Sequence, residues 1–549
     1  MSVLLRRLIL AAGALAAIST AAGAQTVAHN IGENARQFGG GERLVPPDPD
    51  PKVELALKIK QPFTVVGVGD FLQFQPFASS NDPDVQYLLD VIRKADLAVG
   101  DLENEVRDFD AFGHLGNNLA TKEVADDWAR MGIDMMSRAN NQDQSDPGVW
   151  EDLRQVERVG IVHVGVARTL AEARMPRYLA TPKGLAGFAG FYAQGGVEQC
   201  CLGGRAVYVT AAQLAQVKAI KASYLARRPE VEVPVPTPKP DPADSVDIFG
   251  LTFRVGPKPA AEPPPEREPE PGARDGVMNT LHLTRFYGVT ADQLAQLRAI
   301  AGDKGSGPDL KAFGTQFRLM DKPGGHSFDM DPRDRREILE QIRTGKQAAD
   351  IMVTNAHWHQ NRYDFQSYSY DHFPPEFEVS FAHDAIDNGD DVFIAQGVHT
   401  LRGVEIYKGK PIFYGTSSFV WQSAIKPVPK GKATSVASPE VVRPEPAALR
   451  DPTVIVGEQE TQNRTGQLRS NLEAIIAYSH FENGKLAEVR IYPVDTGQTP
   501  RPGSQVGIPR RPTPEVARKI LEEVIEYSRP FGTRIEVRDG VGIIRAPEG

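Results

Sequence analysis

The sequence predicts an α/β protein with a mostly parallel sheet and a proline-rich insertion. Short apolar runs alternate with helical patterns near both ends of the chain, which is the order that βαβ units produce. Two of these runs, 351–356 and 391–398, lead directly into the histidine segments 357–359 and 399–400. Because such sheets assemble their sites at the carboxyl ends of their strands, we expect the two histidine segments to meet there. A histidine that merely caps a strand is the simpler interpretation of either segment alone.

The first 24 residues have the pattern of an export signal. Two arginines precede an apolar run from Leu8 to Ile18, and the small-residue segment 22–24 follows. The run is shorter than the roughly 20 apolar residues that a membrane-spanning helix needs. We therefore expect cleavage after Ala24, a periplasmic or secreted protein, and no transmembrane helix beyond the signal peptide. An uncleaved membrane anchor is the alternative.

The composition narrows the functional class. The net charge is −9 and the sequence pI is about 5.8, which argues against nucleic acid as a partner because such surfaces carry a basic stripe. The two cysteines, Cys200 and Cys201, are adjacent in sequence. Neighbouring cysteines bridge each other only with strain, so no disulfide framework is expected. They form either an unbridged pair or a site for a soft metal.

The elements are predicted in the following order. A polar leader (25–60) precedes the first half of the main domain (61–200). This half contains strands at 63–71 and 96–104, a helix at 83–95, and further strands within 132–142 and 160–167. A second half (331–424) begins with a helix opened by Asp331 and Pro332, an N-cap and first-turn pair. A C-terminal extension (425–549) carries a helix from Pro514 and a hairpin that turns at Asp539-Gly540.

Residues 201–330 are predicted to form an insertion of paired helices and proline-rich segments. Between 228 and 275, two proline-rich stretches flank one strand-like piece at 247–255, and this composition favours extended spacers. A short repeat at 207–222 and 286–303 gives each copy a threonine followed three places later by glutamine. That spacing predicts the capping box that begins a helix. The paired helices are expected to form a lid or a partner surface.

Polar residues end most of the apolar runs. Carboxylates, an amide oxygen and imidazoles are the ligands that a divalent ion such as Mn or Zn prefers. A carboxylate shared between two such ions would suit hydrolytic chemistry at a phosphoryl or carbonyl centre. The residues concerned are Asp70, Glu103, Asn140, Asn141, His357 and His399.

The order of these motifs resembles that of the CapA family of capsule or poly-γ-glutamate synthesis proteins. The matching segments are Gly69-Asp70, 101–103, 139–142, 357–359, 396–399 and 401–419. The resemblance implies a four-layer calcineurin-like metallophosphatase sandwich. It also implies one or two divalent ions (Mn, Zn or Fe) held by Asp70, Glu103, Asn141, His357 and His399.

Several positions depart from the family pattern. Gln142 and Gln396 stand where the family has histidine, and His359 stands where it has glycine. Glutamine cannot shuttle a proton near neutral pH. If the histidine that the family has in place of Gln142 acts as the general acid, this chain lacks that acid. His359 is then the candidate that restores an imidazole to the site. The catalytic candidates are therefore His359 and Gln142, while Gln396 weakens or empties one metal position.

Two residues near the histidines are candidates for substrate binding. Trp358 either stacks on substrate or forms a packing wall, and Arg402 either binds a substrate carboxylate or pairs with Glu405 across strands. The leading hypothesis is an exported protein that acts in the synthesis or processing of an acidic exopolymer. If it is an enzyme, it is a metal-dependent hydrolase or transferase. Its expected partners are the exopolymer or capsule-assembly proteins.

Two other functions stay open at this point. One is a non-catalytic relative that binds a polymer or partner through an eroded metal site. The other is a general periplasmic metallophosphoesterase. Metal content separates an enzyme from a binding protein, and turnover of a simple phosphodiester would favour the general phosphoesterase.

Overall fold

The computed structural model describes eight main segments and three short strands. They are residues 50–108, 119–141, 146–195, 205–228, 241–257, 277–363, 371–422 and 472–545, with strands at 428–429, 441–442 and 455–456. The predicted signal peptide, the proline-rich stretches, the cysteine pair and Gln142 lie outside the described residues. Across these segments, no helix combines the length and apolar character needed to cross a membrane.

The helices and strands that follow are those of the described segments. The helices are α1 (Pro51–Glu54), α2 (Pro83–Arg93), α3 (Glu123–Met131), α4 (Asp146–Arg158), α5 (Leu170–Arg174), α6 (Ala211–Leu225), α7 (Ala291–Ala301), α8 (Pro332–Ala348), α9 (Glu376–Asp387) and α10 (Pro514–Ser528). The first strands are β1 (Phe63–Leu72), β2 (Leu97–Leu102), β3 (Glu105–Arg107), β4 (Leu119–Thr121), β5 (Met135–Ser137), β6 (Val162–Val164), β7 (Val166–Ala167), β8 (Arg177–Thr181), β9 (Gly184–Gln194) and β10 (Arg205–Val209).

The middle strands are β11 (Ser245–Ile248), β12 (Leu251–Val255), β13 (Val277–Met278), β14 (Thr280–Val289), β15 (Asp309–Ala312), β16 (Thr315–Leu319), β17 (His326–Met330), β18 (Ile351–His357), β19 (Val392–Gln396) and β20 (Val404–Tyr407). The last strands are β21 (Lys410–Phe413), β22 (Ser418–Trp421), β23 (Val428–Pro429), β24 (Val441–Val442), β25 (Ile455–Val456), β26 (Glu473–Glu482), β27 (Lys485–Asp495), β28 (Arg501–Pro502), β29 (Glu536–Arg538) and β30 (Val541–Arg545).

The structure has two large sheets. The first has the order β29-β30-β27-β26-β1-β2-β5-β6, with β22 also paired to β1. The second has the order β15-β16-β14-β9-β18-β19-β21-β20, with β17 beside β14 and β8 beside β9. Strands β1, β2, β5 and β6 are parallel, as are β9, β18 and β19, whereas β26 and β27 are antiparallel additions. The alternation of apolar runs and helical patterns in the sequence therefore predicts the parallel strands at the centre of each sheet.

The two sheets pack face to face and carry helices on their outer faces. The central cluster joins Val65 and Val99 of the first sheet to Val353 and Ile394 of the second. Helices α2 and α3 cover the other face of the first sheet, and α8 and α9 cover the other face of the second. Strands buried on both faces read as continuous apolar runs, which is the pattern of β1 and β18. The four-layer α/β sandwich that the resemblance implied is confirmed.

The C-terminal residues form part of this sandwich. Strand β26 pairs with β1 in antiparallel register, and β27 and β30 continue the sheet outward. Helix α10 places Ile520, Leu521 and Val524 in the cluster between the sheets. The predicted hairpin is present, and Asp539 and Gly540 form its turn with φ values of 50° and 77°. The segment 472–545 is thus part of the fold's core, where an extension was expected.

The described part of the insertion has its own core. Both predicted capping boxes are confirmed, at Thr210 and Thr290, and the two helices that follow share one apolar cluster. The strand-like piece at 247–255 forms most of a hairpin of two strands, β11 and β12, and its Phe253 is buried in that cluster. Strands β14 to β17 belong to the second sheet, so the insertion is continuous with the sandwich.

The insertion contains a duplicated unit that is longer than the sequence repeat. In the first copy, β10 leads into α6 and then into the β11–β12 hairpin, and β10 pairs in parallel with β12. In the second copy, β14 leads into α7 and the β15–β16 hairpin, and β14 pairs in parallel with β16. Each hairpin turns on a Phe-Gly pair with positive φ, Phe249-Gly250 and Phe313-Gly314. The two copies therefore share topology, turn type and helix cap.

Candidate metal centre

A bulge in β1 places two carboxylates side by side. Gly67 pairs with Val99, but the next pair is Asp70 with Asp101, so β1 uses one residue more than β2 between them. Bulges of this kind re-aim side chains next to active sites. A Cβ on Gly69 would collide with the Ser417 carbonyl oxygen, so this backbone approach requires glycine. Both aspartates are fully buried at the ends of their strands.

His357, the last residue of β18, faces these carboxylates with one ring nitrogen. Its Nδ1 lies 3.0 Å from Asp101 Oδ2 and 3.5 Å from Asp70 Oδ1. Its Nε2 points the other way, 2.9 Å from His359 Nε2, 3.1 Å from Asn141 Oδ1 and 3.9 Å from Glu103 Oε1. The His357 imidazole therefore links two groups of polar side chains.

His399 approaches from the loop after β19. Its backbone has a φ of 54°, a left-handed conformation that is uncommon for residues other than glycine and clusters at functional sites. Its Nδ1 lies 2.8 Å from Ser418 Oγ and 3.2 Å from Asp70 Oδ2, and its Nε2 lies 3.7 Å from Glu103 Oε1. The ring packs against Trp421 at a centroid distance of 4.4 Å. The strained backbone thus directs the His399 imidazole toward both carboxylates.

Two sets of three side chains can each hold a metal ion. The inner set is Asp70, Asp101 and His357, and the outer set is Glu103, His359 and His399; in each set the ligand atoms lie within 4.8 Å of one another. The inner side chains are completely buried, whereas His359 and His399 retain 7% and 5% exposure.

The residues of this centre fit a divalent ion. The Oδ1 atoms of Asp70 and Asp101 are buried and accept no hydrogen bond within the described residues. Buried carboxylate oxygens that accept no hydrogen bond carry a desolvation cost that a bound cation reduces. Their chemistry also matches the nitrogen and oxygen ligands of Zn, Mn or Fe.

The electrostatics of the centre shift the pKa values of its histidines in opposite directions. Burial would lower the pKa of His357, but Asp101 and the other carboxylates hold that pKa well above its ordinary value. Burial together with the neighbouring His357 and His399 lowers the pKa of His359 well below its ordinary value, so its imidazole is neutral near pH 7.

The carboxylates also differ from one another. Burial raises the pKa of Glu103 to about 7. Burial would likewise raise the pKa of Asp70, but its contacts with His357 and His399 lower it below the ordinary value. Asp70 therefore carries a negative charge near neutral pH, which favours a cation at the inner set.

Neighbouring amides support this centre. Asn140 Nδ2 donates to the Leu102 carbonyl oxygen at 2.6 Å, and its Oδ1 accepts from Arg138 Nη1 at 2.9 Å, so Asn140 fixes the backbone after β2. Asn141 is the exposed member of the centre. Gln396 Nε2 donates to Asn355 Oδ1 at 2.6 Å, which ties this glutamine to β18. Gln396 thus supports the sheet beneath the histidines.

The structure places the two candidate substrate-binding residues inside the protein. Trp358 is buried in the cluster beneath α8 and α9, in edge contact with Phe191. Arg402 is also buried; its Nη1 donates to Glu378 Oε2 at 2.5 Å and its Nη2 to the Gln360 carbonyl oxygen at 2.8 Å. The expected Arg402–Glu405 pair is not formed, because Arg402 turns to Glu378. Both side chains therefore belong to the protein interior.

The sequence pattern failed to identify Asp101 as a member of the centre. It lies two residues before Glu103 in the same segment, and the strand-end pattern favoured Glu103. The signal that could have found it is alternation, since residues two apart on a strand point to the same face. Its pairing with Asp70 depends on the β1 bulge.

The described residues thus form a four-layer α/β sandwich with a buried centre of carboxylates and imidazoles that could hold metal ions. The model of the family described as bacterial capsule synthesis protein PGA_cap matches residues 31–229 and 259–423. This is more than half of the chain, so the chain belongs to that family.

The chain is also similar to individual proteins. The chain is 28% identical to uncharacterized protein y4sH of Sinorhizobium fredii over 513 residues, which covers 89% of this chain and 94% of the relative. It is 31% identical to the PGA biosynthesis protein CapA of Bacillus subtilis over 90 residues, or 16% of this chain and 22% of the relative. Among solved structures, a candidate 5'-nucleotidase of Staphylococcus aureus in complex with alpha-ketoglutarate aligns at 9% identity and a TM-score of 0.27, over 65% of this chain and 49% of that chain. A TM-score of 0.27 is too low to support a shared fold.

Proposed function

We propose that this protein is an exported, metal-dependent hydrolase or transferase that acts in the synthesis or processing of an acidic exopolymer such as capsule or poly-γ-glutamate. The observation that carries the catalytic part is the pair of buried ligand sets around His357. The names of the family and of the CapA relative support the polymer class. The N-terminal pattern supports export.

The residues have distinct roles in this proposal. A divalent ion, when bound, supplies Lewis acidity toward a carbonyl or phosphoryl group. Asp70, Asp101 and His357 hold it at the buried side of the centre. Asn141 is exposed, and His359 is neutral and less buried, so substrate approaches from their side. His359 also supplies an imidazole on that side, which Gln142 cannot supply.

The acidic polymer and capsule-assembly proteins are the proposed partners. The protein carries a net charge of −9, so overall electrostatics repel an acidic chain. Recognition of such a polymer therefore depends on the cations at the centre. This reasoning makes metal loading a requirement for polymer binding as well as for turnover.

A non-catalytic, polymer-binding relative is the second candidate. Gln396 favours it, since the position of a family histidine is occupied by a glutamine, whose Nε2 donates to Asn355 Oδ1 at 2.6 Å. The two candidates differ in turnover. General acid–base assistance contributes roughly 10²–10⁴-fold, so an enzyme without the family histidines is expected to be slow but measurable.

Elemental analysis of the purified full-length mature protein tests the proposal. The wild type should carry Mn, Zn or Fe and slowly cleave poly-γ-glutamate or a generic phosphodiester, and His357→Ala should lose both properties. His383→Ala is the matched control, because His383 pairs with Glu405 at 2.9 Å outside the centre. A metal-free wild type, or turnover that survives chelation and His357→Ala, would contradict the catalytic proposal. Metal binding with no turnover would support the binding relative, and preference for the phosphodiester would indicate a general phosphoesterase.

A further inference from the structure

We infer that His359 is a ligand of a second metal ion, which it holds together with Glu103 and His399. This inference rests on the proposed metal centre. His359 would supply a ligand position that Gln396 does not supply. The family has glycine in place of His359, so the family pattern does not predict this role. The second ion would be a borderline divalent cation such as Zn, Mn or Fe.

The spacing of the outer ligand atoms suits one ion. Metal–ligand bonds of about 2.0–2.2 Å on a tetrahedral ion separate neighbouring ligand atoms by about 3.3–3.6 Å. His399 Nε2 and Glu103 Oε1 are 3.7 Å apart, and the three outer side chains each present an atom within 4.8 Å of the others. Small rotations of the side chains therefore close the set around a cation.

The backbone around His359 holds the imidazole in this place. Trp358 is anchored by its buried ring and by its N–H, which donates to the Gln396 carbonyl oxygen at 3.0 Å. Gln360 Nε2 donates to the carbonyl oxygens of Ala193 and Gly195, both at 3.1 Å, and its Oε1 accepts from the His359 N–H at 3.1 Å. His359 is thus fixed between two anchored neighbours.

The position of His359 relative to His357 also fits a pair of ions. Residues two apart in an extended segment project to the same side, so both imidazoles face the centre. The Nδ1 of His357 faces the inner carboxylates, and its Nε2 lies 2.9 Å from His359 Nε2, beside the outer set. The two sets therefore adjoin at His357, as the ligand groups of neighbouring ions would.

The alternative role for His359 is purely structural. Its Nε2 is within hydrogen-bond distance of His357 Nε2, so it could serve only to orient that ring. An orienting residue would change the affinity of the inner ion without changing how many ions bind. The number of bound ions therefore distinguishes a ligand from a positioning residue.

Titration of metal-free, full-length mature protein with Co²⁺, followed by visible absorption and elemental analysis, tests this inference. The wild type should bind two equivalents, and His359→Ala should bind one, with the second weakened by more than about 100-fold. His383→Ala should bind two. A His359→Ala variant that still binds two, or a wild type that binds one ion whether or not His359 is present, would overturn the inference and leave the proposed metal centre intact. A wild type that binds none would overturn both.

A second measurement uses the wild-type protein, so it does not require the His359→Ala variant to fold. Wild-type protein labelled with ¹⁵N at histidine and loaded with two equivalents of ¹¹³Cd²⁺ should show metal coupling to three histidines. Coupling to only His357 and His399 would overturn the role of His359 even if His359→Ala proves unstable.

Discussion

The inner and outer sets of the metal centre are carried by different kinds of backbone. Asp70, Asp101 and His357 of the inner set lie within strands β1, β2 and β18, where hydrogen bonds of the sheets fix their relative positions. Every residue of the outer set follows a strand and lies in a loop. Loops change more freely than strands because fewer backbone hydrogen bonds depend on them. Substitutions that replace one ligand residue by another are therefore easier to accommodate in the outer set than in the inner set.

Of the substitutions Asp101→Asn and Ser418→Ala, the larger effect is expected from Asp101→Asn, which removes a charge from the inner set while keeping its volume. The first divalent ion should bind roughly 10–100-fold more weakly, because Asp101 both faces the ion and holds His357 Nδ1 at 3.0 Å. Isothermal titration calorimetry measures the change. Asp134→Asn is the control, since Asp134 accepts from the Ala98 N–H at the start of β2. Equal affinities for the two variants would show that the inner set does not bind the ion.

A graded effect, which grows with the number of protons displaced, is expected from pH. The pKa values of His357 and His399 are raised by neighbouring carboxylates, and burial raises that of Glu103 to about 7. Each group must lose its proton to bind metal, so affinity should fall as the pH falls from 8 to 6, about tenfold per pH unit for each proton displaced. Calorimetry in buffers of different ionisation enthalpy counts these protons. Affinity that is constant over this range would contradict the assignment of these groups as ligands.

The smallest effect is expected from Ser418→Ala, which removes support from the outer set. Ser418 Oγ lies 2.8 Å from His399 Nδ1 and 3.3 Å from Asp70 Oδ2. Its loss should weaken the second ion about tenfold and lower the free energy of unfolding by about 1 kcal/mol. Ser479→Ala is the control, because the Ser479 hydroxyl is buried and makes no hydrogen bond in the described part of the chain. Loss of the first ion in Ser418→Ala would show that the two sets are not separable.

The sequence predicts which residues lie at the ends of strands, but it does not predict which of these residues lie side by side. Asp70, Glu103, Asn141, His357 and His399 each lie at or just beyond the end of an apolar run, and the structure brings all of them together. Residues that follow parallel strands share one edge, so this convergence follows from local pattern. Asp101 escaped detection because its position depends on a bulge in the neighbouring strand, which is a property of two segments distant in sequence.

Burial explains the other differences between sequence and structure. The sequence places Trp358 and Arg402 beside the histidines, but only the packing of α9 shows that both are enclosed. In the same way, strand β26 was not predicted from the sequence, and its pairing with β1 is seen only in the structure. Local patterns predict elements, whereas partners in space depend on the whole chain.

The duplicated unit of the insertion also constrains how the protein can evolve. The turn residue Phe249 of the first copy packs against Tyr287 and Phe317 of the second, and Phe313 of the second packs against Phe253 of the first. Each copy thus completes the interior of the other, so a substitution in one changes the selection acting on its counterpart. Paired substitutions are therefore expected among relatives at the Phe-Gly turns of the two copies.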